Sequence, residues 1–158
     1  MKRCTHSVDR QRGVALLELT YVSAFLLVPL LAFVIEFGFV VHAYNVTVHQ
    51  VGAAARYLSA MNPVTQFEPQ ARCLLLSGVA VADCSSTAQL LPGFASATVS
   101  IEQHTGVAVG GTANQKMNLV SVTVSGYRHH FKLTGFLEIF GLSSIDFKPI
   151  TAVGRLGD

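Results

Sequence analysis

Charge is scarce in this chain. Of 158 residues only 13% are Asp, Glu, Lys or Arg, against 51% hydrophobic, and the few charges are unevenly placed. Residues 1–13 hold Lys2, Arg3, Arg10 and Arg12 against Asp9, a net of +3, whereas the remainder holds seven basic and eight acidic side chains. A body without clustered Lys and Arg offers no surface for phosphates, which excludes a nucleic-acid partner. Catalytic patterns are missing too: there is no G-x-S-x-G, no P-loop and no G-x-G-x-x-G. Cys73 and Cys84 are 11 apart rather than in a C-x-x-C pair, which removes the common redox and zinc frameworks. His129 and His130 are adjacent, so on a strand they point to opposite faces and cannot easily share a metal. His42 and His49 lie two turns apart on a helix face, too far for joint ligation, and all four read as surface or interface residues. No enzyme activity, cofactor or metal is expected. With no internal repeat and no long low-complexity tract, the length leaves room for one membrane element and one small domain of about 100 residues.

What the chain does have is one long apolar run. From Leu19 to Val41 there are 23 residues whose only charge is Glu36, and at 1.5 Å per residue they make roughly 34 Å of helix, enough for a bilayer core of ~30 Å. The basic flank before it keeps the N-terminus on the cytoplasmic side and places the body outside the cytoplasm. An ordinary secretory signal has a shorter apolar region and a small-residue cleavage site. Here the run is followed by His42-Ala43-Tyr44-Asn45-Val46, and Cys4 precedes it, which also rules out a lipoprotein signal. Two readings remain: an uncleaved signal anchor, or cleavage at Gly13 on the cytoplasmic side of the run. Glu18 bears on the choice. A carboxylate carried deep into hydrocarbon costs up to about 2.5 to 3.5 kcal/mol and normally has a functional partner; at the headgroup boundary the positive end of the helix dipole would steady it.

The helical pattern runs from Val14 to about Met61, where Asn62-Pro63 stops it, since proline removes a donor and restricts its predecessor. At 48 residues this is roughly 72 Å, so the helix outruns the membrane. Its later half mixes His42, Asn45, His49, Gln50 and Arg56 with Val46, Val51, Ala54 and Leu58, as a helix packed on a soluble domain requires. Pro29 sits in mid-membrane, either as a tolerated kink or as a local melt that eases repacking. Glu36 is expected at the far interface, snorkelling to water or pairing within an assembly. Beyond the break, residues 66–78 read as a second helix and 79–93 as a loop. Outside the cytoplasm Cys73 and Cys84 are expected to form a disulfide worth roughly 3 kcal/mol, and Cys4 would leave with the leader. Val99, Ile101, Val107 and Val109 share one parity with an irregularity at Gly106, and Val120, Val122 and Val124 alternate with Ser121, Thr123 and Ser125. Gly110-Gly111 and Asn114 supply turn signals, so the two runs make a hairpin. A short helix at 133–140 and a last strand at 146–155 follow, with Pro149 at an edge or just before pairing begins. The fold class is α+β: a long N-terminal helix packed on a small antiparallel sheet.

The junction Arg12-Gly13-Val14-Ala15-Leu16-Leu17-Glu18 is similar to a type IV prepilin site, cut after glycine with glutamate at the fifth mature position. With Pro29, Glu36-Phe37-Gly38 and Gly52-Ala53-Ala54-Ala55-Arg56-Tyr57 added, residues 10–60 resemble the TadE-like pseudopilins of the tight adherence (Flp, type IVc) pilus system. Leu19 stands where Phe or Tyr is common in that group; both kinds are apolar, so cleavage is expected to survive. The resemblance implies a pilin-like fold and three parts: a cytoplasmic leader at 1–13 without regular structure, a helix at 14–62 that includes the span at 19–41, and an extracytoplasmic domain at 63–158. It also implies a minor pilin, cut by a prepilin peptidase between Gly13 and Val14 at the bacterial inner membrane, supporting pilus biogenesis and surface adherence. Its partners would be membrane lipid, an assembly platform and other pilin subunits, with the new Val14 amine met by Glu18 of a neighbour and Glu36 and Arg56 as interface candidates. The rival reading is an uncleaved single-span envelope protein whose outer domain binds a partner.

Overall fold

The computed structural model describes residues 6–61, 63–109, 112–132 and 141–157. Its dominant element is one helix, α1, at His6–Ala60, 55 residues long and therefore roughly 82 Å from end to end. The helix takes in part of the leader, contrary to the expectation of an irregular 1–13. Once a long apolar stretch has nucleated a helix, each further residue joins at little cost, so His6–Arg12 need no tertiary contact to be helical. The expected break after Met61 is in place: α1 ends at Ala60 and a second helix, α2, starts at Val64 behind Pro63. It runs to Ser77 and stops at Gly78, whose left-handed backbone (φ 79°) lets its N–H reach the Leu74 carbonyl at 2.8 Å.

The β-structure comprises β1 (Thr98–Val109), β2 (Thr112–Ser125), β3 (Arg128–His130), β4 (Ser144–Asp146) and β5 (Ile150–Arg155). The first, second and last of these form an antiparallel sheet in the order β1-β2-β5, while β3 and β4 pair as a separate two-stranded ribbon. The expected hairpin is present, with its register slipping between His104 and Val107. Gly106 supplies the bulge there with φ 69°, a backbone that side chains resist. Asn114 lies inside β2 rather than in a turn, and Gly110-Gly111 fall outside the described residues, as does the helix expected at 133–140. The last strand differs from expectation. Instead of one run over 146–155 there are two pieces, because Pro149 has no N–H to give a ladder, and pairing resumes at Ile150.

The alternation of β2 puts Val120, Val122 and Val124 into the core against Val51, Ala54, Ala55 and Leu58 of α1 and Ala71 and Leu75 of α2. Burial of these side chains is what holds α1's second half to the domain. Arg72 fastens α2 to the sheet: its guanidinium donates to Glu68 at 2.8 Å and to the Val99 carbonyl at 3.1 Å. Cys73 and Cys84 are disulfide-bonded, tying the end of α2 to the loop that follows.

Closest of all is the contact of β5 with α1. A Cβ on Gly154 would stand 2.7 Å from the Ala55 carbonyl oxygen and 2.9 Å from Ser59 Cβ. Neither the helix backbone nor a Cβ can swing aside, so only glycine fits. Replacing Gly154 with Ala should therefore lower stability by about 1 to 3 kcal/mol, read as a lower midpoint in denaturant unfolding. An unchanged midpoint would show that the sheet does not sit this close to the helix.

Candidate assembly surface on the N-terminal helix

The residues singled out in the sequence fall into two groups along α1. Gly13, Val14 and Glu18 all lie on its exposed first half. A Cβ at Gly13 would meet nothing within 4 Å beyond its chain neighbours and the helix's own backbone. Val14 and Glu18 are four apart, so they stand one above the other on the same face. Around Glu18 the surface is Leu16, Leu17, Leu19, Tyr21 and Val22, every one exposed. The carboxylate thus projects, exposed, from an apolar surface. Thr20, by contrast, turns its hydroxyl back to the Leu16 carbonyl at 2.8 Å, the internal solution open to a polar side chain on an apolar helix surface. Pro29 is half-buried and does not interrupt the helical run.

Among the α1 residues from Gly13 on, Glu36 is the first that is buried, only 1% exposed. This corrects the expectation that it snorkels at the far interface. The domain reaches down to it: Phe131, Leu142 and Ile145 close on Phe33, Glu36, Phe37 and Val40 around one cavity. Arg56 is exposed, and a methyl group at Gly52 would meet its Nη1 at 3.6 Å. Gly13, Val14 and Glu18 are thus neighbours on the first half of α1, whereas Glu36 and Arg56 lie on its second half and the disulfide sits beyond it.

Aromatic side chains that no periodic pattern had marked set the domain's lower edge. Phe94, Tyr127 and Phe147 form an edge-to-face chain with centroids 5.2 and 5.1 Å apart, and Phe147 in turn meets Tyr44 of α1 at 5.8 Å. This chain clamps the β3–β4 ribbon to the helix, and the exposed bidentate pair of Arg128 with Asp146, at 2.6 and 3.1 Å, ties the two strands. His129 and His130 do point to opposite sides, but only His130 is on the surface; His129 is 8% exposed, against the expectation for both. Non-periodic placement in turns and a three-residue strand left no sequence signal for these positions. Compared with models of known protein families, with characterised proteins and with solved structures, the chain matches none.

Burial pushes the His129 imidazole below its ordinary pKa of 6.5; the Glu36 charge works against this shift, and Lys132 and His130 reinforce it. The folded state therefore favours neutral His129. Its stability should be intact above pH 6.5 and fall as the pH drops through the lowered pKa, because the unfolded chain takes up the proton first. Asp146, held below the ordinary 3.8 by Arg128, acts only at lower pH. Denaturant unfolding from pH 7.5 to 5 should show this loss in the native chain and a flatter profile in His129→Leu; parallel profiles would remove His129 as the cause.

Proposed function

We propose that this chain is a minor pilin or pseudopilin of a tight adherence type IV pilus, cut after Gly13 and assembled through the first half of α1. The observation that carries this reading is the uncovered helix. Between Val14 and Ile35 α1 has no buried residue, and its one charge is Glu18. Those 22 residues make roughly 33 Å, close to the ~30 Å of a bilayer core. Among the described residues one helix, near the N-terminus, is long and apolar enough to cross a membrane, and the +3 leader would hold its start in the cytoplasm. A pilin-like arrangement agrees with the packed second half of α1 and its small antiparallel sheet.

Physical chemistry then gives the carboxylate a task. Lipid tails are as apolar as leucine, so the hydrophobic effect does not drive such helices together, and a polar contact can choose the register. Before processing, four of the eleven Lys and Arg side chains lie in the leader and make withdrawal from the membrane costly. Cutting after Gly13 removes them and leaves a positive amine on Val14. That amine and a neighbour's Glu18 would each satisfy a charge that neither can bury alone. Such a pair selects a register more than it adds stability. In this scheme the prepilin peptidase acts on the exposed Gly13-Val14 bond from the cytoplasmic side, after the helix locally opens. An inner-membrane platform then passes the subunit into a filament whose core is made of apolar helices, and the folded domain faces outward or caps the end.

Intact-mass measurement of the protein isolated from its native host should give a chain beginning at Val14. A chain retaining its leader would overturn the proposal and leave a single-span envelope protein with an outer binding domain.

A further inference from the structure

The apolar run and the folded domain overlap. The run continues to Val41, while the domain already covers α1 at Glu36, so six residues, roughly 9 Å of helix, belong to both. In that zone Glu36 is 1% exposed, yet the next residue, Phe37, is 69% exposed. One side of the helix is shielded by protein and the other is bare and apolar. A carboxylate at this depth is tolerable only when protein replaces lipid around it, which is what the cover over Glu36 does.

The domain's own surface changes character at the same level. Leu142 and Ile145 are 43% and 39% exposed, and they share one cavity wall with Phe37. Above them Lys132 is exposed, with its Nζ 4.1 Å from the centre of the Phe39 ring. Exposed apolar side chains beside a lipid-length helix, with a cation on an aromatic face, match the layering of a membrane–water boundary. On the ribbon itself, Asp146 is engaged by Arg128.

We propose that the underside of the domain, where the β3–β4 ribbon meets α1, is a membrane-contact surface seated in the headgroup layer of the bilayer that α1 crosses. Leu142 and Ile145 rest against the upper acyl chains, and Lys132 meets lipid phosphates. The domain is thereby held upright on the membrane before assembly, with its sheet directed away from the surface. This proposal rests on the reading of the first half of α1 as a membrane span, and the test separates the two.

The chain contains no tryptophan, so single-tryptophan variants of the full chain report depth directly. Leu142→Trp, Ile145→Trp, Phe25→Trp and Val153→Trp would be placed in phosphatidylethanolamine–phosphatidylglycerol vesicles whose acyl chains are brominated near the carbonyl end. Val153 is exposed on β5, at the level of Ala55 and roughly 29 Å further along α1 than Glu36. Emission from Leu142→Trp and Ile145→Trp should be blue-shifted and lost to the bromines, as should that of Phe25→Trp in brominated lipid of greater depth, while Val153→Trp is unaffected. Quenching of Phe25→Trp with Leu142→Trp and Ile145→Trp behaving like Val153→Trp would overturn the contact surface and leave the span. No quenching of Phe25→Trp at any depth would overturn the span and the contact surface together. Blue-shifted but unquenched emission at both ribbon positions would mean that a second copy, not lipid, covers the rim, and would equally overturn the proposal.

Discussion

The structure depends on a helix that its own domain can cover for only part of its length. From Glu36 onward the faces of α1 that carry Ala43, Val51, Ala54, Ala55 and Leu58 are buried; from Val14 to Ile35 the helix has no buried residue and is apolar but for Glu18. A bare helix of this kind is unstable in water as a monomeric surface, because exposed leucine, valine and phenylalanine side chains would gather into whatever apolar medium is at hand. Bilayer and bundle are the two media that fit. Glu36 marks the change of regime, since a carboxylate can occupy that depth only where the domain encloses it.

Everything beyond α2 serves to hold the second half of the helix. The inward valines of β2 face it, and Gly154 lets β5 approach to backbone distance. The aromatic chain through Tyr127 and Phe147 draws the ribbon onto Tyr44. The Cys73–Cys84 bond restrains the long loop from the other side. Because the sheet and the ribbon both pack on the same helix, motion of the helix and motion of the domain are coupled. A register chosen at Glu18 would fix the position of the whole domain.

How much of this could be read in the residues follows from which patterns repeat. The apolar run, the helix that outlasts it and the β2 alternation are periodic over many residues and lie where the period placed them, and Pro63 marked the stop; in β1 the shared parity ends at the Gly106 bulge, beyond which Val107 is exposed. The disulfide also followed, from compartment rather than geometry. The burial of Glu36 was not legible because it comes from Phe131, Leu142 and Ile145, about a hundred residues distant in sequence and in segments too short to carry a period. The same holds for His129, whose neighbours on a three-residue strand give no hint of the helix it faces. Pro149 announced a restriction but not that Ser144–Asp146 would pair with a different sheet. Gly13 and Glu18 are a different case: no fold contact marks either, and their significance lies in the composition around them and in chemistry outside the single chain.

That external chemistry is the central claim, and proximity between subunits tests it most directly. A photo-cross-linking residue at Leu17, beside Glu18 on the bare helix, would be activated in cells of the native host. The account predicts adducts to other pilin-like helices that diminish when Glu18 is replaced by Ala and the helix still inserts. Adducts to lipid alone, or protein adducts indifferent to Glu18→Ala, would contradict it.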